Sequence, residues 1–296
     1  MKNTTRPVYP IPPSFINEEI EFKRTSRYIR HLEESGATRV MTTAGSSQFN
    51  LLTLDEIFTL NKTVLREFNK ETILGLPAID LRRLRLELRK LNKLKGVNTK
   101  VLILFPERYY NDQQIIDFFS EVCKISEYPI YLHGNILKRG NGGTYEYSNK
   151  LLRKLFDIPN FAGMKEEYSS IDLAMKNIAA LPNDFDIIVA GGSMRRFWSL
   201  FPHGASSFLT GLGSFAPEFS EQFYNSFVEG DYNLCTSIIQ NLEKPLFDTF
   251  MDIGWHASMR TALQKQGFVL ENRKPFVELD NESNNKVIKA LDKIKV

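Results

Sequence analysis

Apolar residues in this chain gather into short unbroken runs, separated by longer stretches of helical periodicity. The first run is the Pro-punctuated Val8-Tyr9-Pro10-Ile11-Pro12-Pro13. Residues 18–35 then place Ile20, Phe22, Tyr28, Ile29 and Leu32 on one face with Gly36 beyond the end, the spacing of a glycine-terminated helix. Arg39-Val40-Met41-Thr42 is the next run, ending in the small-residue loop Thr43-Ala44-Gly45-Ser46-Ser47. Thr53, followed three residues later by Glu56, predicts a capping box at the start of the next helix. Further apolar runs fall at 72–76, 100–105, 129–132, 161–165, 186–190 and 205–209, most of them separated by a helical segment.

Unbroken apolar strands with helices between them predict a parallel sheet covered by helices. Eight such units fit a closed (β/α)8 TIM barrel better than an open sheet. From about 217 onward the pattern is helical throughout, with apolar positions such as Phe219, Phe223, Phe227, Leu234, Ile238, Leu242, Leu246 and Phe250. The expected organisation is a barrel over 1–225 and a C-terminal helical extension over 226–296, packed on the barrel.

Composition narrows the function class. Charged residues make up 25% of the 296, and 38 basic against 35 acidic side chains leave a net charge of +3, too small a field to argue for nucleic acid. The basic residues at 82–95 alternate with leucines, as on a surface helix with an apolar stripe. No continuous apolar stretch of about 20 residues suggests a membrane span. Cys123 and Cys235 make no disulfide framework, and the polar opening lacks an apolar signal region, so a cytoplasmic location is expected. The four histidines show no ligand spacing and no nucleotide-binding glycine loop is present, so neither metal nor cofactor is expected.

Barrel enzymes keep reactive groups at the C-terminal ends of strands. Lys165 closes the run Phe161-Ala162-Gly163-Met164-Lys165, where it either snorkels outward or stands in the mouth of the barrel. A lysine among apolar groups can supply a neutral amine to a carbonyl. Tyr131 ends Pro129-Ile130-Tyr131 and is either core filler or a proton relay. Tyr109 and Tyr110 follow the preceding strand, and His133 lies just beyond Tyr131 as a candidate pocket residue. The hydroxyls and backbone N–H groups of 42–47 suit a carboxylate. Gly191-Gly192-Ser193 either admits a ligand close to the backbone or turns the chain.

In order along the chain, several stretches resemble one family. Ser46-Ser47-Gln48-Phe49 before Leu52-Thr53-Leu54-Asp55-Glu56, Pro106 with Tyr109-Tyr110-Asn111, Pro129-Ile130-Tyr131, Gly163-Met164-Lys165-Glu166, His203-Gly204-Ala205-Ser206 and Arg273-Lys274-Pro275 are similar to motifs of the dihydrodipicolinate synthase and N-acetylneuraminate lyase family. The resemblance implies a class I aldolase. Lys165 would form a Schiff base with pyruvate or a related 2-oxo acid, and the enamine would add to an aldehyde or be left by cleavage of a sugar acid. Tyr131 would shuttle the proton, with Tyr110 as relay. Ser46, Ser47 and Thr43 would hold the substrate carboxylate, and Leu209 with Gly191 would line the pocket. Family members are commonly homotetramers or dimers, so a homo-oligomer is expected.

Two loops depart from the family pattern. Aligned on the following helix, the usual relay hydroxyl falls on Gly45, and a two-residue slide would place Thr43 there instead. The segment 132–143 is longer than in the family and lacks the arginine that grips the second substrate, for which Lys138 or Arg139 is a candidate replacement. The second substrate is therefore unassigned and the dihydrodipicolinate-forming reaction is not expected. Imine-dependent dehydration or decarboxylation of a sugar-derived 2-oxo acid stands as an alternative, as does a non-catalytic 2-oxo-acid-binding barrel.

Overall fold

A computed structural model describes residues 5–276 and 278–294. The chain divides into two compact units, one made of Arg6–Phe68 with the segment from Thr210 onward, the other of Asn69–Leu209 with Thr5.

The first unit holds two short parallel strands, β1 (Tyr9–Pro10) and β2 (Arg39–Met41), with Tyr9 level with Val40. Between them Phe15–Ile16 and Glu19–Ile20 form a small antiparallel hairpin, turned by Asn17 and Glu18 at positive φ. The first helix therefore spans Phe22–Glu34 instead of opening at 18, and the Glu21 side chain caps it by accepting from the Arg24 N–H. Helix Leu54–Glu67 carries the predicted capping box between Thr53 and Glu56. Helices Pro217–Glu229, Tyr232–Ile238, Lys244–Ile253, Trp255–Lys265 and Asn281–Lys293 follow.

The expectation of unbroken helix from 217 fails over 266–276. Gly267, at φ +74°, ends the preceding helix, and Glu271 instead makes a β-bridge to Phe15. Arg260 is fully buried and holds this stretch, donating to the carbonyls of Pro13 at 2.9 Å and Glu271 at 2.6 Å.

Among the described residues the main sheet takes six parallel strands from the second unit, neighbouring in chain order: β3 (Glu71–Leu76), β4 (Thr99–Leu104), β5 (Ile130–Gly134), β6 (Phe161–Glu166), β7 (Asp186–Val189) and β8 (Ser207–Phe208). A helix follows each of the first five: Leu81–Leu91, Asp112–Ile125, Asn149–Phe156, Ile171–Ile178 and Ser193–Leu200. Strand residues are buried on both faces, as parallel strands under helices require. The basic helix turns Leu84, Leu88 and Leu91 inward and leaves its arginines toward solvent.

Every apolar run singled out in the sequence lies on one of these eight parallel strands, and the α/β class follows directly. The segment read as a long loop after β5 is instead a hairpin. Leu137–Arg139 pairs antiparallel with Thr144–Tyr145 and parallel with Arg108–Tyr109. No helix among the described residues is long and apolar enough to cross a membrane.

Candidate active site

Register decides what stands next to Lys165. Residues paired across parallel strands project to the same face, and along each strand the faces alternate. Lys165 on β6 is level with His133 on β5 and Ile188 on β7, so lysine and imidazole face the same way. The Lys165 Nζ lies 2.8 Å from the His133 Nε2. Glu167, the first residue after β6, closes the cluster: its carboxylate accepts from Nζ, and its Oε2 lies 2.8 Å from the same Nε2. Lys165 is 2% exposed and His133 3% exposed, while the His133 Nδ1 is buried without a hydrogen-bond partner.

The cluster shifts the protonation of His133 and Glu167. Burial, then the charge of Lys165, lowers the His133 pKa, and Glu167 partly restores it. Burial pushes the Glu167 carboxyl up, but Lys165 and His133 outweigh it and hold the group well below the usual carboxylate range.

Tyr131 is one layer removed. It is level with Gly163, two residues before Lys165, and its hydroxyl donates to the Asp186 Oδ2 at 2.8 Å. Its ring lies against Gly163 so closely that a Cβ there would come within 2.7 Å of a ring carbon and 2.6 Å of the Asp186 carbonyl oxygen. The position opposite the lysine, expected for Tyr131, belongs to His133, because β5 continues to Gly134, beyond the apolar run that marked it.

Glu166 points to the other face. Fully buried, it accepts from the Arg196 Nε at 2.9 Å and from the Tyr168 N–H at 2.8 Å, and the same guanidinium donates to the Tyr168 carbonyl at 2.9 Å. This pair shapes the chain as it leaves β6 toward Glu167.

The remaining candidates of this unit are engaged elsewhere or exposed. Lys138 pairs with Glu107 at the surface. The Arg139 guanidinium sits 5.2 Å and 5.3 Å from the rings of Tyr109 and Tyr145, which stack on each other at 3.7 Å. Both phenols donate to Asp112, at 3.0 and 2.9 Å. Tyr110 is 65% exposed. Gly191 has φ +71° with open space where a Cβ would stand, and the Leu209 N–H donates to the Val189 carbonyl at 2.8 Å.

In the other unit, the 42–48 loop is held by its own hydroxyls. The Ser47 Oγ donates to the Ile11 carbonyl at 2.6 Å and accepts from the Thr43 N–H at 3.1 Å. Ser46 is buried, and the Thr43 Oγ1 is buried with no partner. Gly45 lies against His256, whose imidazole would stand 3.1 Å from an added Cβ. Arg273 pairs with Glu56 at 2.8 Å and donates to the Leu51 carbonyl.

Sequence reasoning missed Glu167 and Asp186 as partners and placed His133 only as a pocket residue. The available signal was period two along β5, which puts His133 on the same face as Tyr131 and nearer the strand end. Among the described residues no group of His, Cys, Asp and Glu is arranged to hold a metal ion.

The chain is similar to known proteins over most of its length. The 4-hydroxy-tetrahydrodipicolinate synthase of Listeria monocytogenes serotype 4a is 23% identical over 98% of this chain and 97% of its own. An uncharacterized DapA-like lyase of Pyrococcus furiosus is 23% identical over 89% of this chain and 87% of its own. Among solved structures, the dihydrodipicolinate synthase of Aquifex aeolicus superposes with a TM-score of 0.85 at 17% identity, covering 98% of this chain and 97% of that one. YagE of Escherichia coli K12, solved in complex with pyruvate, gives 0.84 at 15% identity over 98% of each chain. The model of the dihydrodipicolinate synthetase family matches residues 10–294, and the chain belongs to that family of carbon–carbon lyases of the class I aldolase type.

Proposed function

We propose that this protein is a (β/α)8-barrel lyase whose Lys165 amine condenses with the keto carbon of pyruvate or a related 2-oxo acid. The observation that carries this reading is the environment of Lys165: an almost fully buried amine at the C-terminal end of a parallel strand, in contact with an imidazole and a carboxylate. Burial with such partners suits a group that must cycle between ammonium, amine and iminium, and it does not suit a lysine serving only as a solvated surface charge. YagE, of the same fold, binds pyruvate.

The second substrate differs from that of the named synthases on this reading. Both candidate replacements for the carboxylate-gripping arginine are committed, Lys138 to Glu107 and Arg139 to two tyrosine rings. In the 42–48 loop, Thr43 offers a buried hydroxyl with no partner and Ser46 lies beside it, whereas the Ser47 hydroxyl already bonds Ile11.

Incubation with pyruvate and borohydride tests the reading. A reduced adduct is expected on the peptide containing Lys165, absent in Lys165→Ala. Wild-type protein that gains no adduct with pyruvate or other 2-oxo acids would reject it.

A further inference from the structure

We propose that His133, held by Glu167, carries the proton transfers at Lys165, so that an imidazole and a carboxylate do here what a tyrosine hydroxyl does elsewhere in the family. This rests on the Schiff-base reading and adds the identity of the acid–base group.

Geometry makes the case. A ring nitrogen carries at most one proton, yet Nε2 lies 2.8 Å from both the Lys165 Nζ and the Glu167 Oε2. Two arrangements of one proton therefore compete: ammonium with neutral imidazole, or neutral amine with imidazolium. Both carry the same net charge beside the same carboxylate, so moving the proton from lysine to histidine brings no new charge into a buried site. Tyr131 cannot serve in the same way while its hydroxyl donates to Asp186. The charged groups facing His133 are Lys165 and Glu167, and the residue level with it on β4 is the apolar Leu104. Nδ1, buried and without a partner, leaves the second ring nitrogen available to a substrate oxygen.

The steps balance on these groups. Neutral imidazole takes a proton from the Lys165 ammonium, and the amine lone pair attacks the keto carbon while the carbonyl π pair moves to oxygen. Imidazolium protonates that oxygen, and the neutral imidazole it leaves takes a proton from the nitrogen, giving a neutral carbinolamine and imidazolium again. A second delivery from imidazolium releases the hydroxyl as water, and the nitrogen lone pair forms the iminium. Neutral imidazole is then free to take a proton from the adjacent methyl carbon, giving the enamine. Glu167 is a positioning residue: it holds the ring and stabilises its protonated form.

Exchange of the pyruvate methyl protons in deuterium oxide, followed by NMR, reads the last step without any second substrate. Wild-type exchange is expected to fall on the acid side as the imidazole is protonated. Glu167→Gln should move that limb to lower pH, because the carboxylate that favours imidazolium is gone. His133→Gln should slow exchange about 100-fold or more and abolish the limb, while prolonged borohydride treatment still traps the Lys165 adduct at a reduced rate. Wild-type exchange in folded His133→Gln would overturn the proposal, as would a limb that vanishes in Tyr131→Phe but survives in His133→Gln. A limb left in place by Glu167→Gln would overturn the pairing with Glu167, and that measurement stands even where His133→Gln fails to fold. Absence of any adduct in wild type removes the Schiff-base reading itself, a failure separate from these.

Discussion

Glu166 and Glu167 are neighbours in sequence and opposite in surroundings. Glu166 is sealed beneath Arg196, and Glu167 reaches Lys165 and His133. An unpaired buried carboxylate is costly, so Arg196→Met should destabilise the fold by about 3–5 kcal/mol. Urea unfolding would measure it, and a loss under about 1 kcal/mol would mean that the pair is dispensable. Sequence reading could see Lys165, because a lysine closing an apolar run stands out against the pattern. It could not see which residue of β5 lies level with it. Tyr131 and His133 share a face, and only strand register, bent by the irregularity between Phe161 and Gly163, distinguishes them. Glu167 lies just past the strand, where period two gives no signal.

Elements were legible in proportion to their apolar length. Short apolar runs marked the parallel strands, and the Thr53–Glu56 spacing marked a helix start that the structure carries as a full capping box. Leu137-Lys138-Arg139, with one apolar residue in three, is too polar for an apolar run to mark it. What holds that hairpin is side-chain chemistry across separate segments: stacked Tyr109 and Tyr145, Arg139 over both rings, and Asp112 accepting from both phenols. Asp112→Ala removes the shared acceptor, at a cost of about 1–3 kcal/mol. The Lys138 and Arg139 amides, which bond the Glu107 and Gly143 carbonyls, should then exchange with solvent about tenfold faster or more. Unchanged protection of these amides would show that the cluster does not hold the hairpin.

At the scale of the whole molecule, the succession of eight strands was legible, whereas the making of one unit from 6–68 with the segment from 210 onward was not. That assembly depends on contacts such as Tyr9 to Glu221 and Arg260 to Pro13, between residues more than 200 apart in sequence. Each unit also carries a histidine whose pKa is depressed chiefly by burial, His31 in one and His133 in the other. Below about pH 6.5 the unfolded chain protonates these imidazoles more readily than the folded one, so stability falls with pH. A further loss follows below about pH 4.3, as Glu56, Glu67 and Glu167, whose folded pKa values lie below their ordinary ones, give up their ion pairs. On the alkaline side burial pushes Cys123 up to about 12 and Cys235 up to about 11, so the unfolded chain ionises its thiols first and stability declines above about pH 8.5. The melting temperature should therefore peak between about pH 7 and 8, and calorimetry across pH 4–10 should show the acid-side slope reduced in His133→Gln. A melting temperature that rises from pH 8 to pH 5 would mean that the buried imidazoles are not held neutral in the folded protein.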